Sequence, residues 1–195
     1  MNGLQAGGTS DPMVRGNLIR GSQGSGMVLH ECCRGTYANN KIIGTTLAGV
    51  GIRDDADPIF CGNLVEGGAG SGLVLLGNAK GVIEGNRFAG NKCAGVGIKD
   101  KACALFDRNT ATENQGYGIW LQDQSRGTFQ HNTVENNGKA GFAVSHEAAP
   151  RVFNNRIVNG EQVGLLLQND ARGHYEANLI SSNRAVNVML LGKSW

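Results

Sequence analysis

The sequence predicts an all-β protein, a right-handed parallel β-helix solenoid of eight 23-residue coils, and three observations carry that prediction. One 23-residue frame tiles residues 11–194 without an insertion or deletion. Frame position 7 is asparagine in every unit: Asn17, Asn40, Asn63, Asn86, Asn109, Asn132, Asn155 and Asn178. Positions 4, 9, 17 and 19 are apolar in every unit, as Ile83, Phe88, Val96 and Ile98 are in the unit 80–102. The spacing of positions 17 and 19 is the period of two of a strand, and no segment shows the i, i+3, i+4, i+7 pattern of a helix.

Each unit therefore holds three short strands, around positions 3–5, 8–10 and 17–19. Position 4 runs Val14, Tyr37, Phe60, Ile83, Phe106, Phe129, Val152 and Tyr175, residues suited to a pleated surface. Between the strands lie Gly, Asn, Asp and Ser, the residues of tight turns. Position 16 is Gly in seven units and Asn187 in the eighth, which reads as a left-handed backbone site. The asparagine column reads as a ladder of stacked amides, because a buried amide must be paired and stacking pairs it. A leucine-rich repeat fits poorly: two places before position 4 it requires leucine, where this chain has Pro12, Gly35, Pro58, Gly81, Ala104, Gly127, Pro150 and Gly173. That same column alternates Pro and Gly across much of the chain, a two-coil rhythm laid over the single coil.

Residues 1–10, MNGLQAGGTS, read as a linker or disordered lead, and 11–195 as one β-helix domain. The 31 glycines would suggest disorder if scattered, but they fall in columns and mark turns. A net charge of +2 with mixed signs gives no electrostatic case for nucleic acid or an anionic membrane, and no apolar run approaches a membrane span. Residues 1–10 lack the pattern of a signal peptide, and Cys32, Cys33, Cys61, Cys93 and Cys103 show no C-x-x-C spacing. Reduced thiols and an intracellular, cytoplasmic or nuclear location are expected. No metal set and no cofactor motif is expected either: His30, Cys32 and Cys33 lack a fourth ligand, and the acids Glu31, Asp54, Asp55, Asp100, Asp123, Glu147 and Asp170 read as a soluble rim.

The segments Asp57-Pro58-Ile59-Phe60 with Asn63, Gly81-Val82-Ile83-Glu84 with Asn86, and Ala94-Gly95-Val96-Gly97-Ile98 resemble the CASH repeats of F-box-only substrate receptors, in the pectin-lyase-like superfamily. The resemblance covers residues 11–194 and implies the coil. F-box and zinc-binding segments are absent from the chain, so it implies no ligase role.

Two surfaces are candidate sites. Glu84 and Asp107, both at position 5, lie side by side at the spacing of a retaining glycosidase pair, with Arg108 and His131 at position 6 nearby. The chain lacks the Asp-Pro-His motif of uronan epimerases and the acid and histidine motifs of polygalacturonases, so catalysis is not expected. Position 18 should face outward, yet it holds Val28, Val74, Trp120, Leu166 and Met189 among small residues, the composition of a docking stripe. The expectation is a non-enzymatic recognition or scaffold module for a protein partner. A polysaccharide-active enzyme or carbohydrate-binding module is one alternative, and a structural solenoid that self-associates through uncapped ends is another.

Overall fold

In the computed structural model, which describes residues 1–192, the chain winds into a solenoid with three parallel sheets running along its length. Ser194, the last residue of the frame, and Trp195 after it lie outside the described residues. Sheet A has nine strands, from Leu4–Ala6 to Val188–Leu191; sheet B has eight, from Met13–Arg15 to His174–Glu176; sheet C has eight, from Leu18–Arg20 to Leu179–Ser181. Neighbouring strands in each sheet are one coil apart, and paired residues differ by 23 positions from Leu4↔Met27 to Gln168↔Leu191. Register cannot slip, because a shift of one residue would turn every inward side chain out.

The lead is corrected by the structure. Leu4–Ala6 is a strand of sheet A paired with Met27–Leu29, and Leu4 and Ala6 pack on the core. Gln5 stands at position 18 of this extra partial coil, and its amide meets His30 Nε2 at 2.9 Å.

The four apolar columns fill the interior. Tyr37, Phe60, Phe88, Phe106, Phe129 and Phe142 are fully buried; Phe106 and Phe129 stack with centroids 4.7 Å apart, and Phe142 meets Phe129 edge-on at 5.1 Å. The same columns open to solvent in the outermost coils, where Leu190 is 60% exposed although Leu29, Ile52 and Leu75 at its position are fully buried. Among the described residues position 23 is a buried small-residue column, and burial pushes the Cys33 thiol pKa up.

The asparagine ladder forms as expected. Asn63 Oδ1 accepts from both the backbone N–H and the Nδ2 of Asn40, at 2.8 and 3.0 Å, while Asn63 Nδ2 donates to Tyr37 O at 2.8 Å. Oδ1 and Nδ2 of each interior amide are thereby both satisfied by neighbouring coils. A second ladder runs through position 12, where Asn91 donates to Asn114 Oδ1 and Asn114 to Asn137 Oδ1, each at 3.0 Å from Nδ2.

Position 16 is glycine for a reason other than the one expected. None of its glycines lies in the left-handed region. A Cβ on Gly49 would stand 2.2 Å from Val65 Cγ1 and 2.6 Å from Gly72 O, so the column is a close approach between coils. Most positive-φ residues sit at three other corners, positions 6, 11 and 21, and include Asp54, Arg108, Glu113, Asp123 and His131, while Gly35, Gly81, Gly127 and Gly173 add a fourth set at position 2. At position 21 several of the rim acids also brace the coils: Asp54 accepts from Glu31 N–H at 3.0 Å and Asp100 from Gly77 N–H at 2.8 Å. Gly35 packs where a Cβ would be 2.4 Å from Pro12 O, which accounts for the Pro and Gly alternation at position 2.

Candidate functional site

At the corner between sheets B and C the chain collects four ionisable side chains from three coils. Strand Val82–Glu84 pairs in register with Cys103–Asp107, which sets Glu84 beside Asp107 on the outer face. Arg108 Nη1 bridges them, 2.6 Å from Asp107 Oδ2 and 3.2 Å from Glu84 Oε1. From the next coil, His131 Nδ1 lies 2.9 Å from Asp107 Oδ1. Asp107 is only 7% exposed, whereas Glu84, Arg108 and His131 are open to solvent. Its neighbours compensate the buried carboxylate: each oxygen has a charged or polar partner.

The backbone beneath this cluster is unusual in composition. Position 6 is left-handed in every coil, and it is Gly16, Asn39, Gly62, Gly85 and Asn154 in most of them. Arg108 and His131 occupy it at φ +53° in successive coils, and Ala177 is the remaining exception. A non-glycine residue in that region costs on the order of 1 kcal/mol, and such costs gather at functional sites. The bend aims both side chains back over Asp107.

This geometry alters the role expected of the acids. A retaining glycosidase pair needs one carboxylate free to attack and one able to give a proton. Here both oxygens of Asp107 are engaged and Arg108 ties the two acids together. The free group is the imidazole: with Nδ1–H donating to Asp107, the lone pair of Nε2 is left to accept a proton. In chemical terms the arrangement can serve as a carboxylate–imidazole base with a guanidinium beside it.

The stripe at position 18 does face away from the main core, but its members are unequal. Val28 is 8% exposed, and Val74 lies half-buried beside Gly51 and Gly97. Trp120, Leu166 and Met189 pack with Ala140, Ala143, Val163 and Tyr117 into a separate outer cluster. Trp120 is stacked by Tyr117 at 5.0 Å, with Lys99 Nζ 5.4 Å from its ring. The stripe largely covers itself, because Tyr117 at position 15 folds over it, a contact that strand alternation does not foretell. Ala143, the small residue between Trp120 and Leu166, is 1% exposed, so no dip opens in the stripe there.

Coils of constant length, three parallel sheets and an internal amide ladder define the parallel β-helix class. The sequence matches the family model for the right-handed β-helix region over residues 2–157 and over 70–194, and the chain belongs to that family. No curated protein matches it. Among solved structures it is similar to a mutant of the periplasmic alginate epimerase AlgG, with 18% identity and a TM-score of 0.79 over 92% of this chain and 48% of that one. It is also similar to the A-module of the Azotobacter vinelandii mannuronan C-5 epimerase AlgE4, with 16% identity and a TM-score of 0.73 over 95% of this chain and 57% of that one. The AlgE6 A-module from the same organism gives 15% identity and a TM-score of 0.59 over 94% and 57%. The chain thus spans about half the length of these structures. All three neighbours are epimerases of alginate or mannuronan, and this finding contradicts the expectation of a non-enzymatic protein-recognition scaffold.

Proposed function

We propose that the chain is a polysaccharide-active β-helix whose chemistry is proton transfer at His131. One observation carries this: Arg108 and His131 stand in left-handed bends where other coils mostly use Gly or Asn, and both converge on the buried carboxylate of Asp107. His131 Nε2 takes a proton from the sugar, Asp107 holds the ring and balances the imidazolium that forms, and Arg108 stabilises negative charge developing nearby. Structural neighbours that are epimerases of alginate and mannuronan support the polymer class. The chain has no Asp-Pro-His tripeptide, so the support extends to proton transfer on a polysaccharide and stops short of epimerisation. The resemblance to CASH repeats rests on coil-building positions such as Asn63, Asn86 and Gly95, and it adds the same carbohydrate-linked fold without naming a reaction.

The test is turnover on a panel of acidic and neutral polysaccharides, followed by new unsaturated ends and by exchange of carbon-bound hydrogen with deuterated water. His131→Gln and Asp107→Asn are each expected to lower the rate by at least about 100-fold. Full activity in His131→Gln, or no turnover by the parent on any polymer, would exclude this function.

A further inference from the structure

The outer face of sheet B carries a cleft of about 600 Å³, lined by Leu105, Arg126, Thr128 and Arg151 among others. It lies on the same strands as the His131 cluster. Cys103–Asp107 and Arg126–Gln130 are the longest strands of sheet B, five residues each, and pair along their whole length from Cys103↔Arg126 to Asp107↔Gln130. Leu105 and Asp107 therefore point outward from one strand, the first into the cleft and the second into the cluster. Arg126, Thr128 and Gln130 form the parallel outward row one coil on, and His131 follows directly. Across this row Arg126 and Gln130 are about 13 Å apart at the usual rise per residue, longer than one sugar ring.

Both arginines of the cleft are exposed, and neither guanidinium has an ion pair or side-chain hydrogen bond among the described residues. Arg126 also lines an adjoining cavity with Lys101, Arg172 and Glu147, and Glu147 accepts from Gln124 Nε2 at 3.1 Å. The balance of charge beside the cleft is thus positive. A second consideration comes from the base itself. The cluster offers a proton acceptor but no free acid pair, so it suits removal of a proton from carbon. In a sugar polymer the carbon–hydrogen bond acidified for such removal is the one next to a carboxyl group.

Resting on the proton-transfer function proposed above, we infer that the substrate is a uronate-type polysaccharide and that Arg126 and Arg151 form a subsite for its carboxylates. They hold a ring neighbouring the one presented to His131. Guanidinium forks suit carboxylate geometry, and an acidic polymer supplies one carboxylate per acidic unit along the row. The two arginines are specificity determinants, outside the proton-transfer cluster.

Calorimetry would compare three six-unit oligomers: an oligouronate, the same chain with its carboxyl groups reduced to alcohols, and a sulfated neutral chain. The parent is expected to bind the oligouronate at least tenfold more tightly than the reduced or sulfated chain. Arg126→Gln with Arg151→Gln should remove that preference, with an unchanged circular dichroism spectrum. Arg126→Lys with Arg151→Lys should retain part of it and its salt dependence. Equal binding of the oligouronate by parent and Gln variant, or parental preference for the reduced or sulfated chain, would overturn the subsite. A parent that binds none of the three would overturn it as well. Turnover in the His131→Gln variant is scored separately, so the subsite can fall while proton transfer at His131 stands, and the reverse.

Discussion

His131 reaches across one coil to place Nδ1 2.9 Å from Asp107 Oδ1, from a backbone position at φ +53° where glycine would be relaxed. The pairing holds a side chain where the backbone alone would not choose it. His131→Gly relieves the bend and leaves Asp107 its Arg108 partner, whereas His131→Ala keeps the strain and loses the contact. The Gly variant is expected to be more stable than the Ala variant by about 1 kcal/mol. Chemical denaturation of the two proteins measures the difference, and an Ala variant as stable as the Gly variant would show that this bend carries no strain.

The asparagine ladder should respond according to position. Asn109 is buried, with Oδ1 accepting from Asn86 N–H and Nδ2 at 3.0 Å each, and with Nδ2 donating to Ile83 O at 2.7 Å. Asn109→Ala leaves those partners buried and unpaired, at a cost of about 1–3 kcal/mol. Asn17 lies exposed in the first full coil, where water replaces what is lost, so Asn17→Ala should cost well under half as much. Comparable losses in the two variants would contradict a burial-dependent ladder.

Two glycine columns should behave in opposite ways. Gly49→Ala drives a methyl onto Val65 and the Gly72 carbonyl and should destabilise by about 1–3 kcal/mol. Gly97, on the outer face of sheet A, has open space where its Cβ would go and no positive φ. Gly97→Ala should be neutral or stabilising by up to about 1 kcal/mol, because it restricts the unfolded chain. Thermal melts of both variants check the pair, and a tolerant Gly49 would mean that the coils are free to separate there.

Alkaline stability should depend on Tyr37. Burial first, and then the neighbouring Cys33 thiol, push its hydroxyl pKa above the ordinary value of 10.0. The folded protein keeps this proton at pH values where the unfolded chain has released it. Tyr37 thus contributes stability that is complete below pH 10 and falls as pH rises beyond it. Tyr37→Phe should flatten that part of the decline and cost little at neutral pH, since Tyr37 Oη has no hydrogen-bond partner of normal geometry. Denaturation midpoints measured between pH 8 and 11 read the slope, and an equally steep decline in the variant would remove Tyr37 as its source.

The coil was determined by the sequence alone, because apolar columns and Asn17 through Asn178 recur at one spacing and each column has a single physical use. The pairing of Glu84 with Asp107 followed from the same frame. Only the tertiary structure decided what these residues do. The frame states that Arg108 and His131 share a corner, but not that the corner is left-handed and turns both over Asp107, since handedness at a bend depends on how two sheets meet. It placed Trp120 on the outside, while Tyr117 folding over it is a side-chain contact between columns that a one-dimensional period does not encode. It reserved position 16 for glycine without distinguishing torsion from close approach, and the lack of room for a Cβ between Gly49 and Gly72 O settles that only when the coils are stacked. The cleft of Arg126 and Arg151 likewise belongs to neither residue's column, because it exists where two five-residue strands widen sheet B.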